Sequence, residues 1–128
     1  MSAGIADTSL FIAVEAGRPV RTDRLPDRLA ISVITVGELR SGVLDAADVG
    51  VRDRRLAALT RALLLDSIPI DQAVAETWAR LIVSLRRVGL RMPINDSWIA
   101  ATAMTLGIPL VTADDDSVHV PGLEIIHV

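Results

Sequence analysis

Met92-Pro-Ile-Asn-Asp-Ser-Trp-Ile-Ala-Ala-Thr-Ala-Met-Thr-Leu-Gly-Ile-Pro-Leu-Val-Thr-Ala-Asp-Asp-Asp116 reads as loop, helix, turn, strand and acidic loop. Pro93 keeps Met92 out of helical geometry and suits the residue just before a helix, which then starts near Ile94 or Asn95. Trp98, Ile99 and the alanines around them let the helix pack closely on a sheet, and Gly107 ends it. Pro109 to Thr112 is a strand. Asp96 therefore falls in the first turn of a small-residue helix and Asp114 just beyond a buried strand, with no basic residue between them. Two carboxylates held at the ends of core elements in this way are placed to share a cation.

The N-terminal half supplies more of the same. Ala3 to Ala6 is a short apolar run, as expected of a strand buried on both faces of a parallel sheet, and Asp7 sits at its carboxyl end. Thr8 or Ser9 can cap the next helix, which carries Leu10, Phe11, Val14 and Glu15 until Gly17 and Pro19 interrupt it. Residues 17 to 27 read as an exposed connection. Leu29 to Ser32 is a second apolar run, and Ser32 or Thr35 starts a helix through Val36, Leu39, Val43 and Leu44. Glu38 lies one turn inside it and has two readings. From Thr35 the interval fits a capping box, in which the glutamate returns to a backbone amide; otherwise it joins the acidic residues. Asp96 likewise has a purely structural reading, since an acidic side chain in a first turn is stabilised by the helix dipole.

The middle of the chain is helical. Residues 49 to 65 interleave Arg52, Arg54, Arg55 and Arg61 with leucines at helical spacing, a solvated amphipathic helix by default and a face for RNA or a partner otherwise. Ile68-Pro69-Ile70 is a short strand, placed at an edge or a strand end by its proline. Asp71 is the N-cap of a long helix with Val74, Trp78, Leu81, Ile82 and Leu85, stopped at Gly89. Trp78 is assigned to the core. Arg86, Arg87 and Arg91 favour the C-terminal dipole of that helix and also stand just before the Asp96 loop, where they could hold a phosphate. Residues 124 to 128 form a last strand.

Alternating strands and helices imply right-handed parallel βαβ units with helices on both faces. Ligands of such sheets bind beyond the carboxyl ends of the strands, and that is where Asp7 and Asp114 fall. The length of 128 residues suits one domain, and 51% hydrophobic residues suffice for a core. No cysteine is present, which excludes disulfides, thiolate catalysis and cysteine-bound zinc. No signal peptide or membrane span is visible, so the expectation is a cytoplasmic protein. The net charge of −3 argues against a general nucleic-acid coat. All thirteen basic residues are arginine, whose guanidinium forks suit bidentate phosphate contacts.

Asn95-Asp96-x-x-Ile99-Ala100-Ala101-Thr102-Ala103, followed by Gly107-x-Pro109-Leu110-Val111-Thr112-x-Asp114, resembles the C-terminal half of a PIN domain. Ile5-Ala6-Asp7-Thr8-Ser9 and Ile31-Ser32-Val33-Ile34-Thr35-Val36-Gly37-Glu38-Leu39 are similar to that family's opening strand with its acidic residue and to its second strand, helix and glutamate. Four motifs in the expected order over nearly the whole chain make the resemblance specific, and within the family it is to VapC toxins.

The resemblance implies a PIN-like three-layer α/β fold spanning residues 1–128 as one domain, with a mostly parallel five-stranded sheet in the order 3-2-1-4-5. It implies a metal-dependent endoribonuclease, the toxin of a toxin–antitoxin pair, cutting structured transfer or ribosomal RNA. Asp7, Glu38, Asp96 and Asp114 are then the catalytic acids, with Asp7, Asp96, Asp114 and Asp116 as metal ligands. Thr8 or Thr112 is placed to orient a carboxylate or a water, and the register among Asp114, Asp115 and Asp116 is open. Implied partners are the RNA substrate, a VapB-like antitoxin whose arginine pairs with the acids, and a second copy in a homodimer.

The chemistry is consistent with that assignment, because clustered carboxylates either take up protons or bind a cation. Oxygen ligands without cysteine or a nearby histidine favour Mg²⁺ or Mn²⁺. His119 and His127 are read as structural or surface positions. Receiver and haloacid-dehalogenase folds also use aspartates at strand ends but need a lysine, and this chain has none. The alternative is a catalytically silent PIN scaffold that binds nucleic acid or protein.

Overall fold

The computed structural model describes residues 1–115 and 119–128. Five strands form one sheet: β1 (Ala3–Ala6), β2 (Arg28–Ser32), β3 (Asp66–Ile68), β4 (Leu110–Thr112) and β5 (Ile125–His127). Their order is β3-β2-β1-β4-β5 and every pairing is parallel. Among the described residues five α-helices, with one short 3-10 turn at Thr22–Arg24, connect them: α1 (Thr8–Glu15), α2 (Val33–Leu44), α3 (Val49–Leu63), α4 (Gln72–Arg87) and α5 (Ile94–Leu106). Both the α/β layering and the strand order expected from the resemblance are present.

Side chains alternate across a strand, and β1 shows the result directly. Ile5 packs into the core that α4 and α5 build on one face, with Val74, Leu81, Leu85 and Ile99. Its neighbour Ala6 belongs to the opposite core, with Leu10 and Phe11 of α1, Leu39 and Val43 of α2 and Leu59 of α3. Three layers follow from one strand with two apolar faces. Helix α5 lies against the sheet through Ala100, Ala101 and Ala103, all fully buried, so its backbone approaches as closely as its composition predicts. Gly4 makes the same allowance in β1, where an added Cβ would stand 2.9 Å from Val111 Cγ2.

Helix ends follow local chemistry. Ser32, Asp48 and Asp71 accept from Ile34, Val51 and Val74 amides at 3.1, 2.9 and 2.9 Å. Caps of this kind are worth about 1 kcal/mol each. Gly107 ends α5 at φ 66°, a left-handed geometry that glycine adopts without strain.

Several expectations are corrected. Neither Thr8 nor Ser9 caps α1; the N-cap position belongs to Asp7, whose side chain makes no capping bond. The capping box at Thr35 is absent, because α2 starts at Val33 under Ser32 and Glu38 is its sixth residue. The third strand precedes Pro69, ending at Ile68, since proline brings no amide to a ladder; it is an edge strand as expected. Trp78 is half-buried, its ring stacked on Trp98 with centroids 4.3 Å apart.

Candidate functional site

The strand order reverses at β1, which has β2 on one side and β4 on the other, so a crevice opens beyond the carboxyl ends of β1 and β4. Asp7 follows β1 directly and Asp114 comes two residues after β4. An aspartate at an N-cap position ordinarily bonds the helix amides. Asp7 does not, because its Oδ2 accepts Ser9 Oγ at 2.7 Å and Thr112 Oγ1 at 3.1 Å. Those hydroxyls are themselves fixed by backbone donors, Ala113 N to Ser9 Oγ and Asp114 N to Thr112 Oγ1, each at 3.0 Å. With both amides donating inward, the hydroxyl protons are free to point at the carboxylate. One oxygen of Asp7 is thereby held from helix α1 and from strand β4, and the other is left for chemistry.

Glu38 is positioned by an analogous chain. Thr8 Oγ1 donates to Glu38 Oε1 at 2.7 Å and lies 2.9 Å from Thr35 Oγ1. A hydroxyl has one proton, so with the Thr8 proton on the carboxylate, Thr35 is the donor to Thr8. Both threonines are buried, Thr35 completely. Asn95 Nδ2 reaches the other oxygen, Oε2, at 3.4 Å and links Glu38 to the first turn of α5.

Asp96 occupies the third position of α5. The helix dipole there favours a negative charge, yet its pKa is raised from 3.8 to about 6. Burial is the largest cause, followed by the charges of Asp7, Glu38 and Asp114 in that order. Every charge named among these causes is a carboxylate, so one side chain registers all four acids as a single anionic cluster. Asp114 is exposed at the rim, as is Asp115. Asp116 lies outside the described residues. His119 and His127 are both exposed, the latter on edge strand β5.

Among the described residues no three acidic or imidazole side chains stand close enough to hold a metal ion between them as they are. The donor chemistry nonetheless fits a hard divalent cation. Mg²⁺ is ordinarily held by one or two carboxylates with waters completing its shell, so it does not need a closed cage of protein oxygens. Uncompensated negative charges repel one another, a cost that a bound cation would offset.

Ser9, Thr35 and Asn95 are the positioning residues that spacing did not single out for this role. Ser9 and Thr35 were legible only as helix caps. The signal for Ser9 is an acid at a strand end followed at once by two hydroxyl residues, Asp7-Thr8-Ser9. Beside this edge a cavity of about 430 Å³ is lined by Ser9, Ile12, Arg18, Ala113, Asp114 and Asp115, so a basic residue shares the lining with two acids.

Residues 5–123 match the PIN domain. Over 130 residues the chain is 45% identical to ribonuclease VapC5 of Mycobacterium tuberculosis, covering 99% of this chain and 96% of that protein. It is 47% identical over 127 residues to ribonuclease VapC4 of the same organism, covering 95% and 94%. The solved toxin–antitoxin structure VapBC-5, also from M. tuberculosis, contains a chain that superposes with a TM-score of 0.88 at 41% identity over the full length of both.

Proposed function

We propose, since this chain belongs to the PIN-domain family and to its VapC ribonucleases, that it is an endoribonuclease and the toxin of a toxin–antitoxin pair, with residues 1–128 acting as one PIN domain. Its cofactor is Mg²⁺ or Mn²⁺, its catalytic acids are Asp7, Glu38, Asp96 and Asp114, and its substrate is a structured RNA of the transfer or ribosomal class. The observation that carries this reading is the convergence of the four acids on one sheet edge, with Asp7 and Glu38 each held by hydroxyl donors and Asp96 raised by burial first and then by the charges of Asp7, Glu38 and Asp114. A surface decoration has no reason to gather four carboxylates on one sheet edge, whereas cation binding requires such a gathering.

Asp7, Asp96 and Asp114 hold the ion, with Asp116 adjoining Asp114 in sequence. The chemistry a divalent ion supplies when bound there is Lewis acidity, which eases deprotonation of water and offsets charge on the phosphate. Asp7 turns one oxygen outward because Ser9 and Thr112 occupy the other. Glu38 is aimed by Thr8 and stays an acceptor, able to orient a water or take its proton. Asp96, raised to about 6 by burial and by its acidic neighbours, would be favoured in its ionised form by a cation held there.

The VapBC-5 relative is a complex of two proteins. By the same family logic, a VapB-like antitoxin covers this acidic edge and holds the toxin inactive, and the free toxin is a homodimer. No helix among the described residues is long and apolar enough to cross a membrane. A cytoplasmic location suits an enzyme acting on these RNAs.

The deciding experiment is incubation of total RNA with purified, antitoxin-free protein in Mg²⁺, Mn²⁺ or EDTA, beside a folded Asp7→Asn, Asp96→Asn double variant. Cutting at discrete sites, dependent on metal and lost in the variant, is the expected result. Absence of cutting together with no metal uptake by calorimetry overturns the reading and leaves a binding scaffold.

A further inference from the structure

A second cavity, of about 470 Å³, opens between the end of α4 and the start of α5. Trp78, Arg86, Leu90, Arg91, Met92 and Ile94 line it, and Ile94 is two residues before Asp96. Its composition is unlike the rest of the molecule. The chain has two tryptophans, one phenylalanine and no tyrosine. Phe11 is buried. Trp78 and Trp98, both half-buried and stacked on each other, are therefore the aromatic surface this protein offers to a ligand, and Trp78 faces the cavity. Leu90 and Ile94 are exposed to 42% and 58%, leaving apolar area with no partner in the monomer. Arg86 and Arg91, both exposed, belong to the same lining.

An indole wall, an apolar floor and two guanidinium groups are the elements with which proteins grip an unpaired nucleotide: the base stacks and the arginines take the flanking phosphates. From this we infer that the α4–α5 cavity is a subsite for one splayed-out base of single-stranded RNA, next to the bond cut at the acidic edge. Charge selects this occupant, since two arginines favour a polyanion over an apolar helix. Position selects it as well, because Ile94 of the lining and Asp96 of the acidic edge both belong to the first turn of α5. The inference rests on the ribonuclease reading and adds an unpaired position beside the cut to its substrate.

The test is titration of the full chain in EDTA and low salt, so that binding is read without cutting, using tryptophan emission. One probe is a single-stranded hexaribonucleotide; the other is the same backbone with its bases removed. The expected result is altered emission and about tenfold or tighter binding for the base-bearing probe alone, as stacking of one base implies. An Arg86→Gln, Arg91→Gln variant, altered only at exposed positions, should lower the slope of log affinity against log salt by about 1.4, the single-strand value for two phosphate contacts. Trp78→Phe should keep most of the preference and Trp78→Leu should lose it. Equal binding of both probes with unchanged emission overturns the subsite, even if the enzyme cuts RNA. An emission change that tracks protein concentration without RNA assigns the cavity to a second copy and also overturns it. Base-dependent binding by a protein that cuts nothing upholds the subsite and removes the nuclease reading alone.

Discussion

Replacing Thr8 with valine deletes one hydroxyl and keeps the branched shape of the side chain at the first position of α1. Two bonds disappear, the 2.7 Å donation to Glu38 Oε1 and the acceptance from Thr35 at 2.9 Å. Glu38 is half-buried and recovers part of its loss from water. Thr35 is completely buried and cannot, so its hydroxyl bears the desolvation penalty. With about 1.5–3 kcal/mol for a bond to a charged group and about 1–3 kcal/mol for an unsatisfied buried hydroxyl, partly offset by hydration, the expected destabilisation is about 2–4 kcal/mol. That leaves a domain of ordinary stability folded. Freed from Thr8, Glu38 should lose its aim, and residues that orient ligands in this way typically account for about 10–100-fold in activity. Urea denaturation measures the first effect and initial cleavage rates with saturating metal the second, with Thr8→Ser as the control that retains the hydroxyl. A double-mutant cycle with Glu38→Gln completes the test, since a residue acting through Glu38 adds nothing once Glu38 is changed. Cleavage by Thr8→Val within about threefold of wild type, a difference of under about 1 kcal/mol in barrier, would refute the positioning role.

Three further outcomes are expected. In EDTA, Asp96→Asn should equal or exceed wild-type thermal stability at pH 7.5 and lose that advantage near pH 4. The sign follows from a folded pKa near 6 against 3.8: the raised carboxyl contributes stability below its unfolded pKa, and that contribution is lost as pH rises through about 6. Melts at three pH values decide it, and a wild-type protein more stable than the variant at pH 7.5 in EDTA contradicts the electrostatic account. Adding Mg²⁺ or Mn²⁺ should raise the melting point of wild type, by about 2.7 kcal/mol of stability at a hundredfold excess over the dissociation constant, and should leave Asp7→Asn, Asp96→Asn unmoved. Gly4→Ala should destabilise by about 1–3 kcal/mol in urea, because its Cβ would meet Val111 Cγ2 at 2.9 Å, Pro26 Cγ at 3.1 Å and the Pro109 carbonyl at 3.2 Å.

Much of the architecture was legible because its signals are local. Alternation of apolar runs with capped helices implies parallel units, and Ser32, Asp71 and Gly107 mark helix ends by short-range chemistry. Strand order is not local: nothing in the spacing of Ala3–Ala6 says that β4 rather than β3 lies beside it, and the order came from resemblance. The acids were legible as residues at strand ends and in first turns. Their environment was not, since the charge acting on Asp96 comes from positions 7, 38 and 114, and its sign opposes the dipole argument that spacing alone supports. Ser9 illustrates the limit well. Its role depends on a hydroxyl contact with Thr112 across 103 residues, while its sequence neighbours suggest only a helix cap.

The clasp on Asp7 also bears on when the protein can become active as it is made. Ser9 is only two residues from the carboxylate it holds and is made with it, but Thr112 is 105 residues downstream. Until Leu110–Thr112 has left the ribosome and docked beside the first strand, that strand lacks a neighbour on one side and the acidic edge lacks both Asp114 and the second hydroxyl. Contacts of such long sequence separation form late. A chain that has not yet reached Thr112 therefore lacks both the β4 neighbour of the first strand and the second hydroxyl on Asp7, so the acidic edge cannot assemble piecemeal.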